Sequence, residues 1–346
     1  MIGILSQAVG EVSTELVIDW LRSWQIPYIR LNGEDIGAGH LSISIDQAGT
    51  TVSCQADNSS FDPSRIKVVW YRRWGTYTEH LIEGQNLFAA SRQEGWLANA
   101  VRAVRHLILE FRTISTFLFD CLSSARWLSD PVTGAANKLQ ALKLAAECQI
   151  DIPDTLVSSD ASELANFMAK YDRVITKALS KSFICHVDKR PFANYTSIVD
   201  ESMLGDGRNG RVFPTLLQEC LDKEYEIRAF YLDGRFYSMA IFSQGDEQTN
   251  VDFRRYQFKR PNRTVPYRLP DDLASKLALL MQKLGLETGS LDLVKTVDGR
   301  FVFLEVNPGG QFGMVSYPCN YHLEHAVACA LVRRLDEEDF ERLHSA

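Results

Sequence analysis

The chain has 346 residues, 45% of them hydrophobic and 23% charged, a composition typical of a globular protein with two or three domains. Its net charge of -7 argues against a general nucleic-acid binder, because such proteins usually carry a basic surface. No apolar run reaches transmembrane length, and the seven scattered cysteines form no C-x-x-C pair. Because no basic leader precedes the first predicted strand, we expect a cytoplasmic protein with no membrane or nucleic-acid partner.

Residues 1–125 predict an N-terminal α/β domain with a partly parallel sheet. "IGILSQ" and "YIRL" are typical strands, and the helix between them repeats apolar residues at helical spacing after a cap at Ser13 or Thr14. "HLSISI" and "TVSC" alternate as in a hairpin, and "IKVVWYRRW" is a strand that ends in a basic aromatic cluster. Residues 93–124 then predict a long amphipathic helix.

The rest of the chain predicts a small central domain, 126–213, and a C-terminal antiparallel-sheet domain, 214–346. The central domain contains a helix from about Ala135 to Cys148, the strand "TLVS", a helix capped by Ser159 or Asp160, and the strand "RVITK". In the C-terminal domain, Asp-Gly pairs at 233–234 and 298–299 indicate two hairpin turns. The overall prediction is a mixed α/β (α+β) fold.

The hairpin "LDLVKTVDGRFVFLEVNP" carries oxygen-bearing side chains near one end. Glu305 and Asn307 are two positions apart in a strand and therefore point to the same face, and Asp292 lies close across the hairpin. Carboxylate and amide oxygens without sulfur or imidazole form a ligand set that suits Mg2+. Two strands with merely polar ends are the simpler interpretation, and we consider the metal site the better one.

Two lysines predict contacts with phosphate. Lys138 begins a helix after Gly134, and Lys177 ends the strand "RVITK". Each alone is typical of a solvated surface lysine, but beside an acidic metal hairpin they resemble point charges for phosphate oxygens. The chain has neither a P-loop nor a G-x-G-x-x-G motif. The loop "GDGRNGR" at 205–211 is interpreted as a lid over the phosphates.

The stretch "QECLDKEYEIRAF" completes the predicted nucleotide site. Its first residues can offer backbone groups and an amide to an adenine edge, and the predicted set comprises Gln218, Glu219, Cys220 and Leu221. Glu226 and Arg228 alternate onto one strand face, where a carboxylate can bind ribose hydroxyls and a guanidinium can grip a phosphoryl group. A cross-strand salt bridge is the simpler alternative for this pair.

In this order, the lysines, the Gln-Glu pair, E-x-R, the aspartate and E-x-N resemble the motifs of the ATP-grasp ligases. "ANKLQALKLAAECQIDIPDTLVS", "VDFR" and "FLEVNPGGQF" are similar to the peptide-modifying branch, which includes microviridin-type (graspetide) macrocyclases and the ATP-grasp maturases paired with SPASM-type radical enzymes. The N-terminal segments most resemble those maturases. The likeness covers nearly the whole chain and departs from the microviridin ligases at Gly309, Gly310 and Phe312.

The resemblance implies an ATP-grasp fold with an N-terminal pre-ATP-grasp domain, and an ADP-forming ligase. A substrate carboxylate would attack the γ-phosphate of ATP, and an amine or hydroxyl would then displace phosphate from the acyl phosphate. It implies ATP bound by Lys138, Lys177, residues 218–221 and Glu226, and Mg2+ held by Asp292, Glu305 and Asn307. Arg228 and Arg254 would act near the transferred phosphoryl group. His186 and His322 are general-base candidates only by residue type.

The implied partner is a ribosomally made precursor peptide with a leader and an acidic core, with a radical SPASM-type enzyme as a further possible partner. We also expect a homodimer. Amino-acid or protein-tail ligation by the same chemistry remains the alternative activity, and a nucleotide-binding regulatory module without turnover is the alternative of another class.

Two basic segments predict contacts with an acidic peptide. Residues 254–268 carry six basic side chains and no acid, although the whole chain is acidic. A solvated loop is the simpler interpretation of such a charge run. The motif "WYRRW" could add a second anchor, and it is equally consistent with a packed strand. The predicted substrate-binding residues are Arg72, Arg73, Arg255, Arg260 and Arg263.

Overall fold

The computed structural model of the chain describes most of its residues, namely 1–37, 41–47, 49–56, 59–75, 96–131, 137–180, 184–187, 190–193, 196–200, 211–244 and 262–335. The elements up to residue 131 are β1 Ile2–Ser6, α1 Val12–Ser23, β2 Tyr28–Asn32, α2 Gly33–Gly37, β3 Leu41–Asp46, β4 Gly49–Ala56, β5 Ser59–Phe61, a 3-10 turn Pro63–Arg65, β6 Val68–Tyr71, α3 Trp96–Cys121 and β7 Arg126–Leu128.

The later elements are α4 Lys138–Glu147, β8 Thr155–Asp160, α5 Ala161–Met168, β9 Val174–Thr176, β10 Ile184–Val187, β11 Arg190–Ala193, β12 Ser197–Ile198, β13 Arg211–Glu219, β14 Lys223–Leu232, β15 Arg235–Phe242, β16 Arg263–Tyr267, α6 Asp271–Lys283, β17 Thr288–Thr296, β18 Phe301–Asn307, α7 Gly313–Cys319 and α8 Leu323–Val332. Among the described helices, none has the length and apolar composition that crossing a membrane requires.

The chain divides into two compact units, one formed by Met1–Pro131 with His322–Ala346 and the other by Val132–Tyr321. The sequence did not indicate that α8 belongs with the N-terminal part of the chain. The three predicted domains, with boundaries at residues 125 and 213, remain a prediction.

The first unit contains a four-stranded sheet of order β2-β1-β6-β7, in which all pairs are parallel. Its strands pack apolar side chains such as Leu5 and Val69 against Leu118 and Leu122 at the end of α3. The predicted β3–β4 hairpin is confirmed as antiparallel. The predicted cap of α1 is wrong, because Glu11 is the N-cap and receives a hydrogen bond from the Thr14 hydroxyl at 2.9 Å.

Besides the small β10–β11 sheet, the second unit contains two larger sheets that together form the walls of a cavity. One is four-stranded with the order β12-β9-β13-β8, and the other is five-stranded and antiparallel with the order β16-β15-β14-β17-β18. Helices α4 and α6 pack on one face of the five-stranded sheet, with Ala141, Leu277 and Phe303 in the shared core. Strand alternation therefore directs the other face of β14 and β17 away from these helices.

Local sequence signals explain the ends of several of these elements. Asp160 caps α5 as predicted, because its carboxylate accepts hydrogen bonds from the Ser162 and Glu163 N–H groups. Asp233 and Gly234 have φ values of 46° and 83°, which suit the predicted tight turn between β14 and β15.

Candidate functional site: a cavity between two sheets

A cavity of about 470 Å3 lies in the second unit between its four-stranded and five-stranded sheets. Its wall includes Lys177 after β9, Gln218 in β13, Glu226 in β14, Asp292 in β17 and Glu305 in β18. The volume falls within the range of small-molecule sites. Residues that are distant in the sequence, and that the motifs predict to bind one nucleotide, therefore meet around one cavity.

Asp292 and Glu305 are directly opposite each other in the β17–β18 ladder. On the other side of β17, Asp292 is directly opposite Arg228 of β14. Residues that are paired across antiparallel strands share a face of the sheet. The three side chains therefore form one row across the sheet, with two carboxylates in the cavity wall.

Each carboxylate of this row has a cationic partner. The Arg228 Nη1 atom lies 2.5 Å from both carboxylate oxygens of Asp292. The Lys138 Nζ atom lies 3.3 Å from the Glu305 Oε2 atom. Because the Arg228 and Asp292 side chains are only 10% and 13% exposed, each charge needs the other to offset the loss of water.

The two predicted phosphate lysines come together through α4 and β9. Asn137 caps α4 by accepting hydrogen bonds from the backbone N–H groups of its first turn, and Lys138 is the first residue of that helix. The Lys138 ammonium donates a hydrogen bond to the backbone carbonyl of Ala178 at 2.7 Å, and Ala178 follows Lys177. Both lysines therefore lie at the same end of β9.

The segment predicted to bind adenine forms part of the cavity wall, but its side chains are engaged elsewhere. The Gln218 amide donates to the Thr155 hydroxyl at 2.8 Å, and the Glu219 carboxylate accepts from the Asp154 N–H at 3.0 Å. Cys220 and Leu221 line the cavity, and burial raises the pKa of the Cys220 thiol. Contacts with a base would therefore come from the backbone and from these two residues.

Glu226 is a buried acid in the cavity wall. It forms an ion pair with Lys223 and accepts a hydrogen bond from the Ser243 hydroxyl at 3.3 Å. A cross-strand pair does occur on this strand, but it joins Arg228 to Asp292 and does not involve Glu226.

Asn307 lies two pairs further along the hairpin than Glu305, opposite Ser290, and it is exposed. It is not part of the cavity wall, in contrast to Asp292 and Glu305. Among the described residues, no three His, Cys, Asp or Glu side chains form a metal-binding group. The predicted site contains only two carboxylates, with the Asn307 amide as its third ligand, and it remains a prediction.

Comparison with solved structures shows a likeness along nearly the whole chain. A Chryseobacterium gregarium RiPP-associated ATP-grasp ligase, in complex with ADP and a leader and core peptide, is 21% identical with a TM-score of 0.75, and the match covers 95% of this chain and 94% of that one. Macrocyclase MdnC from Microcystis aeruginosa MRC, bound with precursor peptide MdnA, is 22% identical with a TM-score of 0.75, covering 96% of this chain and 99% of that one.

The ATP-grasp ligase PsnB, complexed with a phosphomimetic variant of a minimal precursor, Mg and ADP, is 16% identical with a TM-score of 0.69, covering 97% of this chain and 98% of that one. The chain has the ATP-grasp fold. The predicted fold is therefore confirmed. No protein-family profile matches the chain, and no curated protein matches it significantly.

The structure does not describe every arginine with a predicted role. Arg254, predicted to act near the phosphoryl group, and Arg255 and Arg260, predicted to bind substrate, lie outside the described residues. Arg263 is an exposed residue of β16 whose guanidinium stacks 5.1 Å from the centre of the Phe242 ring, and it is not part of the cavity wall.

Arg72 and Arg73 belong to the first unit, where both contact Glu11. The Arg72 Nε atom lies 3.4 Å from one carboxylate oxygen of Glu11, and the Arg73 Nε atom lies 3.3 Å from the other. Burial lowers the pKa of Arg72 to about 10, and the charge of Glu11 opposes this shift. The buried Arg72 thus agrees with the packed-strand interpretation of "WYRRW", whereas Arg73 is partly exposed.

Three other predictions concern residues that the structure describes only in part. Residues 205–210 of the predicted lid lie outside the described residues, and Arg211 begins β13. The His186 side chain is likewise outside the described part. His322 precedes α8 in the first unit, with its Nδ1 atom 3.8 Å from the Glu324 carboxylate.

Sequence reasoning missed several residues of the cavity wall. They are Arg173, Thr196, Asp222, Lys223 and Gln244. Arg173 precedes β9, and Lys223 lies three residues before Glu226 in a strand. Regular alternation places such a residue on the opposite face, so the pattern of the sequence argued against it.

Proposed function

We propose that the chain is an ATP-dependent ligase that activates Asp or Glu side-chain carboxylates of a ribosomally made precursor peptide and joins them to a hydroxyl or an amine. The product would be a macrocyclic ester or amide. Proteins of the same fold that carry ADP or precursor peptides support this proposal by analogy.

The observation that supports it most strongly is the composition of the cavity wall. Lys177 and Lys138 lie at one end of β9, while Asp292 and Glu305 are opposite each other on the neighbouring sheet. Cations suit phosphate oxygens and paired carboxylates suit a hard divalent cation, so this arrangement matches a metal–nucleotide complex. Lys177 and both carboxylates line the cavity, and the Lys138 ammonium lies beside Glu305. A purely structural role would not require these opposite charges to meet at a cavity.

The side chains present fit Mg2+ and ATP. Two carboxylates leave several coordination positions for water and phosphate oxygens, as Mg2+ prefers. When bound, the metal would supply positive charge that offsets the phosphate oxygens. The residues that would hold it are Asp292 and Glu305, with Asn307 as the third proposed ligand.

The proposed reaction has two steps. A peptide carboxylate oxygen attacks the γ-phosphorus of ATP, the bond to the bridging oxygen breaks, and ADP leaves. A hydroxyl or amine of the peptide then attacks the acyl carbon, loses its proton, and phosphate departs. In this scheme Lys138, Lys177 and Arg228 bind and orient phosphoryl oxygens, and Arg254 assists beside the acyl phosphate.

The test is mass spectrometry of the precursor peptide encoded beside this gene, incubated with the protein, ATP and Mg2+. Each ester or amide formed removes one water from the peptide, so we expect a mass loss that depends on ATP. The Asp292→Asn variant should give no product, and the exposed-site variant Lys170→Ala should behave like the parent protein. An unchanged precursor, together with ATP consumption on free amino acids or a protein tail, would favour the alternative ligase activity.

ATP binding without acceptor-dependent phosphate release would instead favour a regulatory module.

The acidic core is proposed to bind the segment 254–268, with Arg255, Arg260 and Arg263 as contacts and Arg72 and Arg73 as a second anchor. The radical-enzyme partner, the homodimer and the cytoplasmic location also remain predictions.

A further inference from the structure

Lys223 is a cationic residue of the cavity wall to which the motifs assign no role. Its ammonium forms an ion pair with the Glu226 carboxylate, and the two side chains are only 10% and 8% exposed. Both residues line the cavity. The pair is therefore a buried charge pair at the proposed nucleotide site.

A bulge in β14 makes this pair possible. In a regular strand, residues three positions apart point to opposite faces. Here the β14–β17 register shifts between Lys223 and Tyr225, since Lys223 pairs with Thr296 and Tyr225 with Lys295. The extra residue at 224 turns Lys223 onto the face of Glu226. Bulges commonly re-aim a side chain next to an active site.

Because Glu226 is buried, its carboxylate requires a cation beside it. A buried carboxylate loses much of its hydration, and a neighbouring ammonium compensates this loss. The Ser243 hydroxyl donates to the Oε1 atom, which is also the oxygen that contacts Lys223. Both interactions hold the carboxylate through a single oxygen and fix its orientation in the cavity wall.

We propose that Lys223 is a positioning residue that holds Glu226, through the bulge of β14, to accept hydrogen bonds from the ribose hydroxyls of ATP. This inference rests on the proposed function, because it assumes that ATP occupies the cavity. Lys223 acts on binding of the sugar and leaves the transfer of the phosphoryl group to other residues. Its loss should therefore raise KM for ATP and leave kcat at saturating ATP nearly unchanged.

The experiment compares ATP with dideoxy-ATP, which lacks both ribose hydroxyls, by calorimetry in the presence of Mg2+. Hydrogen bonds to a charged acceptor are strong, so the parent protein should bind dideoxy-ATP about tenfold or more weakly than ATP. In Lys223→Met, ATP affinity should fall about tenfold and the difference between the two nucleotides should shrink toward none. Lys223→Arg should restore part of the discrimination.

The matched control is Lys295→Met, which removes a lysine of the neighbouring strand that contacts the Phe301 ring and does not line the cavity. This variant should discriminate between ATP and dideoxy-ATP as the parent protein does. If Lys223→Met does not fold, the double variant Lys223→Met with Glu226→Gln removes both charges and should fold. It should bind ATP and dideoxy-ATP with nearly equal affinity.

A Lys223→Met or double variant that still discriminates as the parent protein does would overturn the inference, and so would a fall in kcat without a change in KM. A parent protein that binds neither nucleotide would instead overturn the proposed function. The two failures are therefore distinguishable in the same set of titrations.

Discussion

Glu305 has one oxygen within 3.3 Å of the Lys138 ammonium, while its carboxylate also lines the cavity and lies opposite Asp292. Replacing it with Gln keeps the shape of the side chain and removes the charge. We expect Glu305→Gln to lower ATP turnover by at least about 100-fold, because a charged ligand is lost from the metal proposed to offset the charge of the reacting phosphates.

The measurement is phosphate release at saturating ATP, with thermal unfolding as the check that the variant is folded. Near-normal turnover in a folded Glu305→Gln protein would contradict the metal assignment.

Lys177 directly follows β9 and lines the cavity without being part of the buried core. We expect Lys177→Ala to weaken ATP binding about tenfold to 100-fold, because a charge-assisted contact with phosphate is removed. The unfolding temperature without ligand should change little. The control is Lys170→Ala, an exposed lysine in the turn after α5. An unchanged dissociation constant for ATP in Lys177→Ala would refute this role.

Three neighbouring strands, β14, β17 and β18, place the row of Arg228, Asp292 and Glu305 across one sheet face. Since Arg228 and Lys138 already pair with these carboxylates, a divalent cation must compete with them. Phosphate would draw both cations away and release the carboxylates. We therefore expect bound metal to strengthen nucleotide binding, and bound nucleotide to strengthen metal binding.

The variant Lys138→Met separates these two effects. Without the ammonium, Glu305 should bind a divalent cation more tightly in the absence of nucleotide, while ATP binding should weaken about tenfold. Mn2+ serves as the spectroscopic probe for the metal, and calorimetry measures ATP. Lys143→Met, on an exposed face of the same helix, is the control. If Lys138→Met bound both Mn2+ and ATP more tightly, or both more weakly, this would contradict the proposed exchange of ion-pair partners.

The turn after β18 lies against β17 at Gly310. A Cβ atom at this position would lie 2.5 Å from the Ser290 Cβ atom and 3.0 Å from the Asn307 carbonyl oxygen. We expect Gly310→Ala to lower the free energy of unfolding by about 1–3 kcal/mol, because the added methyl overpacks this contact.

Urea unfolding measures the change, and the second substitution Ser290→Gly should recover part of it, since it removes the Cβ atom in the way. A Gly310→Ala protein as stable as its parent would show that the turn can shift without cost.

The hairpin could be predicted because the Asp-Gly turn joins two alternating strands and brings Asp292 close to the E-x-N motif. The exact pairing could not, because regular counting from the turn sets Asp292 opposite Leu304. The register shift between Asp292 and Leu293 brings Glu305 opposite Asp292 instead.

The place of Lys223 beside Glu226 could not be predicted either, because a bulge reverses the face of the residue and no local pattern marks it. The pairing of Arg72 with Glu11 was equally hidden, since it joins segments about sixty residues apart in the parallel sheet unit.

The whole chain combines a unit built on a parallel sheet with a second unit whose four-stranded and five-stranded sheets line the cavity. The ATP-grasp fold was identified from the order of motifs, which depends on residues at strand ends and is independent of the lengths of the loops between them. Sequence identity of 21% and 22% to two ligases of this fold is consistent with such sparse constraints. The assignment of α8 to the first unit depends on packing between distant segments, which motif order does not report.

In the proposed reaction, a peptide carboxylate is activated by transfer of the γ-phosphoryl group. This step can be tested with a precursor whose Asp and Glu carboxylates carry heavy oxygen, incubated with the protein, ATP and Mg2+, followed by mass spectrometry of the released phosphate. We expect one heavy-oxygen atom in phosphate for each bond formed in the peptide, because the attacking carboxylate oxygen leaves with the phosphoryl group. Bond formation that releases phosphate without heavy oxygen would contradict the proposed reaction.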